Sequence, residues 1–270
     1  RDGDYINTHG VDKNFHSLGK YYDEILLDEA QDLWLEFVRR LPKITKQLTI
    51  CCDNAQDVFG HNEVKGNLIA ESFKENLENS GIIVNEFMLN SNYRNTKEIY
   101  EFSRQFVKEV PITEIDTFER ESIGDTPKIF RQNDSADGFK TIKTIIDNAP
   151  GENIGILCEY ISDINSISKF FDQVGLEHTH FHSKLNWRKQ RDILLSIERI
   201  VVCTQQAAKG LEFDTVIIPF IEKMGSDEIK RRRYYVACTR AKNKLRLVSM
   251  NSDISFVINH IQDNSLYQLI

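Results

Sequence analysis

One short run limits what this chain can build more than any other. Residues 21–32 read YYDEILLDEAQD, and the apolar run of Ile25, Leu26 and Leu27 stops abruptly at Asp28 and Glu29. A run of that length, followed by a helical pattern, suits a strand buried in a parallel sheet. The two carboxylates then fall at the carboxyl end of the strand, where open α/β sheets bind ligands. There one carboxylate can hold a magnesium ion through water, and its neighbour can orient or deprotonate an attacking water. The plain alternative is a strand running into an acidic helix start, because carboxylates favour helix N-termini.

The rest of the chain repeats this alternation. Residues 33–41 have helical spacing up to Pro42, residues 48–52 read as the next strand, 68–79 as a helix and 82–89 as a third apolar strand. Asn95 or Thr96 is placed to cap a helix running to about Val110. Residues 111–126 look like a linker, so the expected domains are 1–110 and 111–270. Beyond the linker, strands are expected at 128–131, 153–158, 178–181, 200–204, 214–220 and 244–250. Helices are expected at 135–147, 162–174, 187–197 and 227–239. The expected fold class is therefore α/β, with mostly parallel sheets in both domains.

Composition excludes several classes. At 40% hydrophobic and 28% charged, the 270 residues are those of a globular protein. No apolar run reaches membrane-spanning length, so no membrane partner is expected, and no signal peptide opens the chain. The five cysteines form no CxxC pair and mostly sit in apolar runs, which suits reduced thiols in a cytoplasmic protein. A net charge of −7 argues against a uniformly basic nucleic-acid coat but leaves room for a local basic groove.

Four further stretches carry candidate chemistry. CDNAQ ends a strand in Gln56, whose amide can sense a terminal phosphate, although Asp53-Asn54 also reads as an ordinary turn. NYRN offers Arg94, a planar and permanently charged fork suited to phosphate, or simply a solvated side chain. TQQAAKGLEFD follows a strand. In it Thr204 and Lys209 can reach a nucleic-acid backbone, Gly210 permits close approach, and Glu212 can accept a ribose hydrogen bond. A short polar helix ending at Gly210 is the alternative. YYVACTRAK is an apolar stripe ending in Arg240, which can neutralise charge on a transferring phosphoryl group or merely snorkel from a buried helix face. A further stretch, WRKQR at residues 187–191, packs three bases and an aromatic into five residues. It reads as a solvated amphipathic helix or a nucleic-acid contact through Arg188.

Taken in order, DEAQD, CDNAQ, LNSNYRN, TQQAAKGLEFD and YYVACTRAK resemble motifs II to VI of superfamily 1 helicases, over residues 21–250. KGLEFD and VACTRAK look like the UvrD/Rep/PcrA branch, which moves 3′ to 5′ on DNA. The resemblance implies two RecA-like folds facing each other across an ATP cleft, with ATP and Mg2+ as cofactors and single-stranded DNA as partner. It implies that Asp28 holds the metal, Glu29 activates water, and Gln56, Arg94 and Arg240 serve the γ-phosphate. Gln31 would link nucleotide to DNA-contacting loops, Glu212 would contact the sugar, and Thr204 and Lys209 the DNA. Phe59 and His61 stand where the family stacks a base, with His61 at the usual tryptophan position. Gln206 replaces the family's usual histidine.

The family's phosphate-binding loop is missing. The nearest candidate puts Asn14 at the first glycine position and Tyr21 at the hydroxyl position, and it precedes a strand instead of following one. The chain also opens on Arg1 instead of methionine, so a fragment with an incomplete first domain is expected. The connection at 182–199 is too short for the accessory subdomain common in the family. Two alternatives stand beside the motor: a catalytically inactive interaction module, and a helicase subunit of a nuclease or defence complex.

Overall fold

The computed structural model describes residues 22–58, 69–111, 114–120, 125–195 and 197–270. The chain divides into two compact units, Arg1–Met88 with Glu109–Thr113, and Leu89–Lys108 with Glu114–Ile270.

The first unit contains β1 (Tyr22–Leu27), α1 (Leu35–Arg40), β2 (Thr45–Ile50) and α2 (Ile69–Glu78). β1 and β2 pair in parallel, with Ile25 opposite Leu48 and Leu27 opposite Ile50. On α2 the apolar Ile69, Phe73 and Leu77 recur every four residues, so they share one face, and all three are buried. Ile69 and Phe73 pack with Ala30, Phe37, Val38 and Leu41 into the unit's core. Pro42 does not stop the chain's turning. It lies inside a 3-10 turn, Leu41–Lys43, that continues from α1. The expected strand at 82–89 does not form: these residues join no sheet, and Ile83 and Phe87 are 89% and 88% exposed.

The second unit contains β3 (Ser91–Asn92), α3 (Lys97–Arg104), β4 (Thr117–Phe118), β5 (Lys128–Phe130), α4 (Ser135–Asp147), β6 (Ile154–Cys158), α5 (Ile161–Gln173), β7 (Thr179–Phe181), α6 (Trp187–Leu194), β8 (Ile200–Thr204), β9 (Phe213–Pro219), α7 (Glu228–Cys238), β10 (Ala241–Val248), α8 (Ser255–His260) and β11 (Gln268–Leu269). Seven strands form one sheet in the order β11-β5-β10-β9-β6-β8-β7, and every pairing is parallel. All five residues of β6 and of β8 are buried, as continuous apolar runs in a covered parallel sheet require. Ile142 and Ile146 of α4, with Ile164, Ile167 and Phe171 of α5, pack against Ile156, Val202, Ile217 and Val248 of the sheet. Helix starts follow the chain's capping signals. Asp134, Asn186 and Asp227 each accept a backbone N–H of the helix they open. The fold class is α/β with parallel sheets, as the alternation predicts.

The division of the chain differs from the expected boundary at 110/111. Residues 89–108 belong to the second unit because α3 and the turn after it pack there. Phe102 and Phe106 are buried, and the Phe106 ring lies 6.2 Å from Tyr234 and stacks at 6.1 Å on Phe256. The expected linker at 111–126 also carries a strand, β4, which pairs in parallel with β3. Among the described residues no helix is long and apolar enough to cross a membrane.

Candidate functional site

In the first unit, β1 delivers Asp28 and Glu29 at its carboxyl end, as its apolar run predicts. Asp28 is exposed, and its Oδ1 accepts the backbone N–H of Glu29 at 2.9 Å. Glu29 is half-buried and takes a left-handed backbone with φ 52°, a conformation that costs a non-glycine residue energy and concentrates at functional positions. Gln31 is fully buried and joins two motifs. Its Nε2 donates to Glu29 Oε2 at 2.5 Å, and its Oε1 accepts the backbone N–H of Asp53 at 3.2 Å. The backbone ties the same loops, since Ala30 N–H donates to the Cys51 carbonyl at 2.9 Å. Asp53 in turn accepts from Ala55 N–H and from Gln56 Nε2, at 2.9 and 2.8 Å. Gln56 Oε1 is buried without a hydrogen-bond partner. A buried amide oxygen left so is uncommon, and it fits a position completed by a ligand's donor or a water. Phe59 and His61 lie outside the described residues, as does the rejected phosphate loop around Asn14 and Tyr21.

Magnesium fits this corner in a limited way. Among the described residues no group of three or more His, Cys, Asp or Glu side chains could hold a metal. Magnesium does not need one, because it keeps waters and takes one or two carboxylates together with substrate phosphates. Asp28 is exposed, and its second oxygen stays available for such a contact.

In the second unit, two predicted residues meet. Arg94 Nε donates to Glu212 Oε1 at 2.6 Å, and Lys242 Nζ lies 3.6 Å from Glu212 Oε2. Partial burial alone would raise the Glu212 carboxyl, but the Arg94 hydrogen bond and the charges of Arg94, Lys242 and Arg240 outweigh it and hold it below its ordinary value. Arg94 follows Asn92, whose Oδ1 accepts the backbone N–H groups of both Arg94 and Asn95 at 2.9 Å. Asn95 does not cap α3; the cap residue is Thr96, and it too makes no side-chain cap bond. Instead the Asn95 Nδ2 donates to the carbonyls of Thr239 and Ala241, at 2.9 and 2.5 Å. Arg240 stands between those two carbonyls, is 1% exposed, and donates from Nε to the Val236 carbonyl at 3.1 Å.

The TQQAAKGLEFD stretch forms a tight turn between β8 and β9. Thr204 is buried, and its Oγ1 accepts the N–H groups of Ser183 and Ala207 at 3.3 Å each, so the hydroxyl shapes the turn. Lys209 is half-buried. Gly210 has φ +83° with open space where a side chain would stand, so the backbone angle, more than crowding, calls for glycine. Arg188 is exposed on α6. Sequence reasoning missed the side-chain roles of Asn92 and Asn95, because asparagine before a helix reads first as a cap. Burial pushes the Cys52 thiol up to about 11 and also raises Cys158, Cys203 and Cys238, which makes these four poor nucleophiles.

Residues 199–248 match the family model of the UvrD-like helicase C-terminal domain. That span holds TQQAAKGLEFD, Glu212 and Arg240. The chain is 34% identical over 97 residues to the RecBCD enzyme subunit RecB of Chlamydia pneumoniae; the match covers 34% of this chain and 9% of the relative's length. Among solved structures, the C-terminal domain of a possible DNA helicase from Lactobacillus plantarum WCFS1 is similar at 20% identity. It covers 66% of this chain and 98% of that one, with a TM-score of 0.49. S. cerevisiae Dbp5 bound to RNA and ADP BeF3 is similar at 13% identity and a TM-score of 0.51, covering 92% of this chain and 59% of that one. The Dbp5 likeness speaks to the fold, a RecA-like α/β arrangement. The family match bears out the superfamily 1 resemblance in the segment it spans.

Proposed function

We propose that this chain, which carries UvrD-like helicase sequence over residues 199–248, is the motor part of an ATP-dependent DNA helicase or single-strand DNA translocase moving 3′ to 5′ in the cytoplasm. The observation that carries the reading is the Arg94–Glu212 pair. It joins the NYRN arginine, which lies outside the matched span, to a carboxylate inside it. An arginine fork and a carboxylate held together are what a nucleotide site needs to meet a phosphate and a sugar hydroxyl.

In this reading Asp28 would hold magnesium, which would supply positive charge to offset that on the phosphate oxygens. Glu29 accepts the proton of the attacking water, and Gln31 keeps that carboxylate aimed through Oε2. Gln56 reads the terminal phosphate, and Arg94 and Arg240 stabilise charge developing on it. Glu212 takes the sugar hydroxyl and Gly210 lets the backbone come close. Thr204, Lys209, Arg188, Phe59 and His61 serve single-stranded DNA. In the full-length protein, Glu29→Gln abolishes steady-state ATP turnover while nucleotide binding persists, because it removes the base and keeps the shape. A near-normal rate in that variant contradicts the role. The 270-residue chain alone hydrolyses little ATP, since no phosphate loop occurs in its sequence.

A second reading, a subunit of a multi-subunit enzyme that includes a nuclease, is favoured by the likeness to a RecBCD enzyme subunit. It predicts a stoichiometric partner when the full-length protein is purified from its own cells; a lone species at the protein's own mass contradicts it.

A further inference from the structure

Asn95 sits between two residues to which the proposed chemistry assigns the same task. It follows Arg94 directly in the chain. Its side-chain amide reaches 144 and 146 positions onward to the carbonyls that flank Arg240. A side-chain amide has two N–H donors, and here each has one acceptor, at 2.9 Å on Thr239 and 2.5 Å on Ala241. The residue is 3% exposed, so water cannot replace those bonds if they are lost.

The acceptors are carbonyls that need a partner. Thr239 is the cap residue just after α7, where the last helical carbonyls have no partner within the helix. Ala241 begins β10. The chain therefore turns from helix to strand at Arg240, and Asn95 bridges the two sides of that turn. The other ends of the arrangement are also held. Asn92 Oδ1 fixes the N–H groups of Arg94 and Asn95, and the Arg240 carbonyl accepts the N–H of Phe213 at 3.0 Å.

We propose that Asn95 is the positioning residue that sets Arg94 and Arg240 at a fixed spacing, so that both guanidinium groups reach one phosphate together. The consequence for catalysis rests on the proposed role of the two arginines; the geometric coupling does not. The substitutes nearest in size do not do the same work. Aspartate keeps the shape but turns a negative oxygen toward two carbonyl oxygens. Serine is shorter and donates once. Alanine leaves two buried carbonyls without partners.

Two measurements test this. In the 270-residue chain, the Nε–Hε NMR signals of the arginines are followed in wild type, Asn95→Asp and Asn95→Ser, with assignments from single Arg→Lys substitutions. The signals of Arg94 and Arg240 both move, while those of Arg199 and Arg246 stay in place. Movement of Arg94 alone, or of all four alike, overturns the proposal: the first marks a local turn and the second a general loss of structure. If Asn95→Asp does not fold, Asn95→Ser gives the same comparison with a smaller displacement. In the full-length protein, Asn95→Asp lowers kcat for ATP about 100-fold, the scale of a catalytic group misplaced by about 1 Å, with KM within about threefold. On an Arg240→Ala background the same change costs little more, because the spacing it fixes matters only while both guanidinium groups are present. An equal loss on both backgrounds overturns the positioning role. Wild-type protein without any ATP hydrolysis contradicts the proposed function instead, and the NMR comparison then decides the coupling by itself.

Discussion

The two units use the same sequence grammar and reach different degrees of closure. In the second, seven parallel strands leave β6 and β8 buried at every residue. In the first, two parallel strands form the whole sheet among the described residues, and Leu26 near the end of β1 is 69% exposed. Ile83, Phe87 and Met88 are exposed in the same unit. An apolar run is a strand only where a neighbour offers backbone donors and acceptors. Parallel strands in particular need both faces covered, and two strands alone are marginal in water. The contrast separates what a run of residues specifies from what its partners must supply.

Substitutions in the two units probe this difference in closure. Phe171 is fully buried in the core that α4 and α5 share with the large sheet, and Phe171→Ala costs the second unit about 3–5 kcal/mol in urea unfolding. A cost near zero would mean that the second unit is no better closed than the first. Gly155 on β6 comes next. A side chain there would begin 2.4 Å from the Phe213 ring, so Gly155→Ala overpacks the sheet by about 1–3 kcal/mol by the same measurement. A neutral result would show that Phe213 can move aside.

A smaller effect is electrostatic. Burial raises the Glu152 carboxyl, but the Lys244 and Thr215 hydrogen bonds and nearby positive charge outweigh it and hold it below 4.5. A depressed folded-state value adds stability at pH above 4.5 and loses it as pH falls through the folded value. Glu152→Gln therefore removes part of the second unit's acid sensitivity, by under about 1 kcal/mol for a partly exposed pair. Unfolding midpoints measured from pH 7 to pH 3 check it; an unchanged slope contradicts the assignment. The smallest effect belongs to the open unit. Leu26→Ala changes stability by no more than about 0.5 kcal/mol, because its side chain is largely in water already. A loss above 1 kcal/mol would show that this face is covered in solution.

Much of this contrast is legible in the residues. The runs that became β6 and β8, IGILC and IVVCT, are almost wholly apolar, which is how a covered parallel strand reads, and β1 and β9 carry shorter apolar runs, ILL and VII. The run at 82–89 looks the same but lacks a neighbour, and nothing local reveals that. β4 went unseen because two residues, Thr117 and Phe118, carry no period. The attachment of NYRN to the second unit was hidden for a different reason. Its decisive contacts are two carbonyls more than 140 positions away, and backbone acceptors leave no mark on residue identity. At the candidate site, the residue types at Asp28, Glu29, Arg94, Glu212 and Arg240 suggested their chemistry. The Arg94–Glu212 contact and the Gln31 bridge between Glu29 and Asp53 required coordinates.

In the proposed function Arg240 acts on a phosphoryl group and not on the DNA backbone. In the full-length protein, ATPase rate and single-stranded DNA affinity of Arg240→Ala are measured together across a salt series. That role predicts a fall in saturated turnover of about 10³–10⁵-fold with DNA affinity and its salt slope close to wild type. A normal turnover with weaker DNA binding, and a salt slope reduced by about one, contradicts it and assigns Arg240 to the DNA track.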